Sequence, residues 1–328
     1  MERLLLATPV DFSFRATVSS HGWRSLAPYR WDEVRGWLHR VEQLASGKVV
    51  ALTLADRSAN SSGRCISVEV ADHLSPVERL DLADRLRWAL ALELPVAEFH
   101  DYATAIPELA HVPQERVGRL LRGTSVFEDV VKTILTTNVT WNQTKSMATR
   151  LVAAFGEPVL NASSDADAVS AQPSGGGSAD GTRSVARAFP TPAALAAAGE
   201  KELARLAGVG YRAKALARIA ADVASGALDL EGYRERAATT KPAALRKELT
   251  ALPGIGPYAA AHLTVLFGHY DRVPVDSWAR RLYSVHRRGG EPVTDSEVHE
   301  FFARHGRWAF LAYRFFRWEL ETEEPRDW

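Results

Sequence analysis

Residues 251–260 read ALPGIGPYAA. Pro253, Gly254 and Gly256 interrupt apolar runs that otherwise have helical spacing. In LRKELTALPGIGPYAAAHLTVLF, residues 245–267, the first helix is expected to end near Ala251, because Pro253 would cost it a hydrogen bond. Gly254 and Gly256 permit backbone angles closed to other residues, and they block no close approach. A second helix is expected from Pro257, a favoured first-turn residue. Its free N–H groups and positive dipole end would then point out of the turn, which suits an anion. A phosphate backbone would be gripped there without any sequence being read. The plainer role of such a string is a corner between two helices. An aromatic ring, Tyr258, follows at once.

Working outward, residues 271–288 read DRVPVDSWARRLYSVHRR. Val-Pro-Val favours extended backbone, so Asp276 should open a helix as its N-cap. Capping is a sufficient reason for an aspartate. It also keeps the carboxylate supplied with N–H bonds that favour its ionised form. An anion fixed beside a DNA-facing turn can stabilise a developing positive charge or activate water. Arg280, Arg281, Arg287 and Arg288 make the stretch locally basic.

The totals set limits. The chain has 328 residues, 46% of them hydrophobic, which suits two or three globular subdomains. Lys+Arg and Asp+Glu both number 40, so any nucleic-acid contact must come from local patches. The single cysteine, Cys65, excludes an internal disulfide, a four-cysteine zinc site and an iron–sulfur cluster. It is expected as a reduced residue in a strand. No secretion signal is read at the N-terminus, and no stretch reaches the roughly 18 apolar residues of a membrane span. A cytoplasmic protein without membrane contact is expected.

Residues 1–75 look β-rich: DFSFRATVSS, KVVALTLAD and CISVEVAD carry β-branched or aromatic residues in partial alternation. From Ser75 the pattern turns helical, with Ser75 as N-cap, Pro76 in the first turn and Glu78 completing a capping box. Further helices are expected over 105–121 and over 125–155, the latter broken near Thr137–Thr140. Residues 161–187 are rich in Ser, Gly, Ala and Asp and read as a flexible insertion. Helical pattern resumes over 191–226, broken at Gly208–Gly210, and continues through 241–267, 276–287 and 294–320. The class is therefore α+β, a small β region before a helical body.

In LPGIGPYAA followed by VPVD, the sequence resembles the helix-hairpin-helix DNA glycosylase superfamily. The resemblance extends to SVFEDVVKTILTTNVT (125–140) and LAGVGYRAKALARIA (206–220), in the family's order, and covers about residues 100–320. It implies a TBP-like antiparallel β domain over 1–100 and a two-lobed all-α body over 101–328. The hairpin and the catalytic segment lie in 241–288. The N-terminal region looks like the β domain of 8-oxoguanine glycosylases and of the bacterial inducible 3-methyladenine glycosylase.

The resemblance implies excision of a base flipped out of damaged double-stranded DNA by a monomeric enzyme. Asp276 matches the essential aspartate, which would stabilise the sugar oxocarbenium and help water add at C1′. Gly254, Ile255 and Gly256 match the turn that binds a phosphate. The carbonyls of Thr250, Leu252 and Ile255 match positions that hold a structural Na, K, Ca or Mg ion in relatives. No cofactor is implied for catalysis. Bifunctional members carry a lysine where this chain has Tyr258, and a phenol cannot form their Schiff base. No lysine near Tyr258 in sequence substitutes, and Lys214 and Lys145 are the ones that folding could bring close. Alkylpurine enzymes carry an aromatic ring at that place, which stacks on the flipped base, and electron-poor bases stack well on rings. Asn138 and Tyr211 match residues that oxidised-guanine enzymes insert into the duplex, and Arg212 the residue facing their orphaned base. Their plainer roles are a helix cap, a core aromatic and a surface charge. Trp278, Tyr313 and His262 are candidate pocket residues, with His21 or Trp23 at its rim. Trp141 is expected to be buried. The resemblance thus mixes two branches, and Tyr258 tips it toward a monofunctional glycosylase acting on an alkylated purine. An enzyme for oxidised or deaminated bases and a non-catalytic binder of damaged or abasic DNA remain alternatives.

Overall fold

Alternating apolar residues near the N-terminus build one antiparallel sheet in the computed structural model, which describes residues 2–57, 64–159 and 185–318. Its strands are β1 (Glu2–Ala7), β2 (Arg30–Asp32), β3 (Trp37–Gln43), β4 (Val49–Asp56) and β5 (Cys65–Val70), in the order β1-β5-β4-β3-β2. Leu38 pairs with Leu54, Leu54 with Val68 and Val68 with Leu4. Three of these, Leu38, Leu54 and Val68, are buried, so one face of the sheet enters the core. Cys65 opens β5, in a strand as expected, and is buried. A short helix, α1 (Phe14–Val18), and a single turn over Gly22–Ser25 follow β1 and carry Trp23, 1% exposed, into the same core.

The helical body begins as the sequence suggests. Ser75 and Glu78 form a capping box on α2 (Pro76–Ala89). After α3 (Ala97–Thr104) the structure departs from the expected helix over 105–121. Only a turn at Pro107–Leu109 and α4 (Val112–Glu115) form. Arg116 and Gly118 take φ of 52° and 127°, which no α-helix accommodates. Gly118 lies so close to Val96 that a Cβ there would meet it at 2.6 Å. The chain then runs into α5 (Val126–Thr136) and α6 (Trp141–Phe155), divided where the sequence predicts.

The expected insertion, 161–187, lies outside the described residues except for its last three. Its stem is closed by the Val159 N–H on the Ala186 carbonyl, at 3.1 Å, and by the Ala188 N–H on the Glu157 carbonyl, at 2.9 Å. Beyond it come α7 (Pro192–Glu202), α8 (Arg212–Ala224), α9 (Tyr233–Thr239), α10 (Pro242–Thr250), α11 (Pro257–Leu266) and α12 (Ser277–Arg287). Of these, α9 has no counterpart in the sequence reading. The helix expected over 294–320 is two, α13 (Asp295–Ala303) and α14 (Ala309–Phe315), because Gly306 takes φ of 53°. Residues 319–320 lie outside the described residues. Strand and helix side chains share one continuous apolar cluster.

At its centre is α5, buried from Val126 to Leu135, charged residues included. Arg40 of β3 reaches it: the guanidinium donates to Glu128 at 2.7 and 3.0 Å and to Glu42 at 2.6 Å. Lys132 pairs with Glu128 at 2.6 Å. Burial pushes the Asp129 carboxyl up to about 7 despite the Gly123 N–H it accepts at 2.6 Å. These charges tie the sheet to the helix that leads into the site.

Candidate active site

The turn between α10 and α11 is built as its residues require. Gly254 takes φ of 76°, a left-handed conformation that favours glycine. A Cβ on it would meet Ala215 of α8 at 2.8 Å, so the hairpin packs closely against that helix. Ile255 is buried and anchors the turn, and its N–H bonds the Leu252 carbonyl at 3.2 Å. Gly256 faces open space. Among the described residues the Gly254 and Gly256 N–H groups donate to no protein acceptor, beside the start of α11. Thr250 ends α10, its hydroxyl turned back on the Arg246 carbonyl at 2.6 Å.

Asp276 caps α12. Its Oδ1 accepts the Ala279 N–H at 2.8 Å, and the Trp278 N–H also serves the carboxylate. Burial pushes its pKa above the ordinary value of 3.8, opposed by those N–H bonds and by the Arg280 charge. Trp278 itself is half-buried. Tyr258, one residue into α11, is close enough to Asp276 to feel its charge. Burial, then that charge, raises the phenol above its ordinary value, so it is neutral.

One turn later on α11, His262 stacks on Tyr258, with ring centroids 6.4 Å apart and planes 13° from parallel. Trp23 lies 6.0 Å from His262 and His21 lies 6.1 Å from it. His21 donates from Nε2 to the Leu121 carbonyl at 2.7 Å. Burial lowers His262 to about 4, and burial, then the neighbouring His262, holds His21 well below its ordinary value. Both imidazoles are neutral at pH 7. Among the described residues, His262 Nε2 is buried without a hydrogen-bond partner. Arg314 of α14 holds the His21 segment by donating to the Ser20 carbonyl at 2.7 and 3.1 Å. The result is a neutral aromatic wall with a carboxylate at one end.

A second group gathers where α5 ends and α8 begins. Asn138 takes φ of 52°, a conformation asparagine tolerates, and donates from Nδ2 to the Tyr211 hydroxyl at 3.3 Å. Tyr211 is 69% exposed. Its ring lies over the Arg212 guanidinium at 4.5 Å, and Arg212 is buried.

Residues 131–309 match the family model described as HhH-GPD superfamily base excision DNA repair protein. The chain belongs to this family. The fold of this HhH-GPD protein is that of solved DNA glycosylases. A 3-methyladenine DNA-glycosylase from Archaeoglobus fulgidus aligns over 96% of this chain and 97% of its own, with TM-score 0.68 and 21% identity. The apo 8-oxoguanine glycosylase/lyase from Clostridium acetobutylicum aligns over 96% and 95%, with TM-score 0.65 and 17% identity. The same enzyme solved with double-stranded DNA carrying cytosine opposite 8-oxoguanine gives TM-score 0.63 at 17% identity over 93% and 90%. No curated protein matches the chain.

The structure brings Tyr258, His262, His21 and Trp23 together, and places Trp278 beside Asp276. Tyr313 is buried with its ring edge-on to Phe302 at 5.4 Å and beside Phe310. The aromatic density of the C-terminal helix serves the core, and its reach toward the site runs through Arg314, which the sequence reading passed over. Arg212 also departs from its expected place, because its guanidinium points inward to carbonyls. Tyr211 is no core aromatic. Trp141 is half-buried at the start of α6. Lys214 is exposed on α8 and Lys145 half-buried on α6. A wide cleft of about 1130 Å³ between β3, α2 and α9 contains none of the residues around Asp276.

Proposed function

We propose that this HhH-GPD protein is a monofunctional DNA glycosylase that hydrolyses the N-glycosidic bond of a flipped, damaged purine, an alkylated base foremost. The observation that carries this reading is the Tyr258–His262 wall beside Asp276, a ring where bifunctional relatives need an amine. A flipped base would stack on Tyr258. As the bond from C1′ to the base breaks, the electron pair leaves with the base and positive charge develops on the sugar. The Asp276 carboxylate stabilises that charge and orients the water whose oxygen adds to C1′, its proton passing to the carboxylate and on to solvent. Neutral imidazoles suit a cationic or electron-poor base, because neither repels it.

The outward N–H groups at Gly254 and Gly256 would take a phosphate of the damaged strand. Among the described residues the Leu252 carbonyl accepts only the Ile255 N–H, which leaves it a lone pair and fits the expected donor set of Thr250, Leu252 and Ile255 for a weakly held cation. Such an ion would add positive charge beside that phosphate. We place the protein in the cytoplasm, acting as a monomer on the nucleoid. Among the described residues no helix is long and apolar enough to cross a membrane. The Asn138–Tyr211 pair favours a second reading, excision of an oxidised or deaminated base.

A panel of duplexes, each with one lesion, scored for base release after alkaline cleavage of abasic sites, tests both. Release of alkylated purines above all others is expected; release of 8-oxoguanine alone would select the second reading. Binding without release from any duplex would leave only a damage-binding protein. Borohydride should not trap the protein on lesion DNA, because a phenol stands at 258 where an amine is needed, and Lys132, which lies near His21, is held by Glu128. Efficient trapping would show that an amine supplies lyase chemistry after all. Tyr211→Ala is expected to slow lesion processing several-fold while leaving binding to undamaged duplex nearly unchanged, since a wedge offsets unstacking of a few kcal/mol. Equal losses in both would remove Tyr211 from the wedge.

A further inference from the structure

Arg212 is the first residue of α8; its guanidinium donates to the Tyr211 hydroxyl and, beneath it, to three backbone carbonyls. Its Nε donates to the Ile134 carbonyl at 3.1 Å, Nη1 to the Val209 carbonyl at 3.4 Å, and Nη2 to the Thr137 carbonyl. Ile134 lies in the last turn of α5 and Thr137 is its C-cap; the Ile134 carbonyl also accepts the Thr137 N–H at 3.3 Å and hydroxyl at 2.8 Å, whereas among the described residues the Thr137 carbonyl is served by Arg212 alone. Arg212 therefore closes the C-terminal end of α5. The next residue is Asn138, in its left-handed turn, and its amide meets the Tyr211 hydroxyl. The guanidinium also forms the floor on which the Tyr211 ring rests. One buried side chain thus fixes both members of the exposed pair. Swinging it out to a base would break three hydrogen bonds at once and leave the part-buried Thr137 carbonyl without its donor, which is expensive.

We propose that Arg212 is a positioning residue for the Asn138–Tyr211 wedge and does not read the base left opposite the lesion, so that this protein tolerates any opposite base. What the tip offers an orphaned base is an amide and a hydroxyl. Each can both donate and accept, whereas a guanidinium only donates in a fixed fork. The tip therefore has no strong preference for one base edge. The inference rests on the reading of this face as the DNA-repair site. It is tested by binding, so it stands or falls without base release.

The probe is a duplex carrying one tetrahydrofuran abasic-site analogue opposite cytosine, thymine, adenine or guanine, with affinities measured by fluorescence anisotropy beside an undamaged duplex. The four wild-type affinities are expected to agree within about threefold; a bidentate guanidinium contact would separate them by about fivefold or more. Arg212→Ala should weaken all four equally, leave the undamaged duplex unchanged, and add nothing to the loss caused by Tyr211→Ala, as residues acting through one device do not add. Arg212→Lys should restore most of the binding, because an ammonium has three donors for three carbonyls. The proposal is overturned by a wild-type preference above about fivefold, or by an Arg212→Ala loss that extends to undamaged DNA or adds fully to that of Tyr211→Ala. If Arg212→Ala does not fold, the wild-type series and Arg212→Lys decide: an opposite-base preference in either overturns it. Failure to release any base would remove the glycosylase reading and leave these affinities to judge Arg212.

Discussion

Asp276→Asn is expected to lower base release by about 10²–10³-fold, the size of effect seen when one preorganised electrostatic partner of a transition state is removed. The substitution is well isolated. Asparagine has nearly the same shape, and its amide oxygen can still accept the Ala279 N–H that Asp276 accepts at 2.8 Å, so the cap on α12 persists. What disappears is the negative charge at the end of the Tyr258–His262 wall. Affinity for a lesion duplex should survive or rise, because one carboxylate fewer faces the phosphates. The pH dependence adds a second check. The ionised carboxylate is the working form, so release must fall as pH drops through the Asp276 pKa. Burial raises that pKa above 3.8, which moves the acid limb of the single-turnover rate upward from the ordinary aspartate range. His262 titrates near 4 and must be separated from it, and the Asp276→Asn residual rate makes that separation. A variant that retained wild-type release would reduce Asp276 to a helix cap.

The sequence made the hairpin legible because backbone rules act locally. A left-handed turn needs glycine, a first turn favours proline, and Gly254 and Pro257 occupy those places. The same held for Asp276 and for the Ser75 box, both of which are caps with local partners. Asn138 and Tyr211 were placed through family resemblance, and their exposure and mutual bond follow from the turn at the end of α5. Side-chain direction was less legible. An arginine after a wedge residue reads as a surface charge or a base contact, and nothing in the letters GYRA says that three carbonyls wait beneath it. Likewise the C-terminal helix spells out aromatic residues, and only packing shows that Tyr313 faces Phe302 while Arg314 reaches the Ser20 carbonyl. Long-range pairing hid the rest. His21 lies 241 positions (262 − 21) from His262, and no pattern within either segment ties the two imidazoles together.

Arg40→Ala should destabilise the protein by about 3–5 kcal/mol, the cost of removing one partner from a buried ion pair. Arg40 is 1% exposed and holds two carboxylates, Glu42 at 2.6 Å and Glu128 at 2.7 Å, with the Thr124 hydroxyl at 2.7 Å. Without it these carboxylates share a pocket with too few cations, since Lys132 is divided between Glu128 and Asp129 and Arg85 reaches Glu42 at 3.2 Å. The pH dependence has a definite sign. Burial alone would raise Glu128, but Arg40 and Lys132 outweigh it and hold its carboxyl down to about 2, against an ordinary 4.5. A depressed folded-state pKa contributes stability that is present above 4.5 and lost as pH falls toward 2. The deficit of Arg40→Ala should therefore be largest near neutral pH and shrink below about 4.5, which urea midpoints taken across that range would measure. The double substitution Arg40→Met with Glu128→Gln should recover part of the loss, because it removes a stranded charge along with its partner. A deficit that stayed constant with pH would assign the loss to packing of the Arg40 stem on Tyr29, whose ring lies 4.7 Å from the guanidinium. The network matters to the site because α5 runs from Glu128 at one end to the Asn138 turn at the other. Its buried charges hold the wedge in register with the sheet, which shares its core with the turn that carries Trp23 and His21.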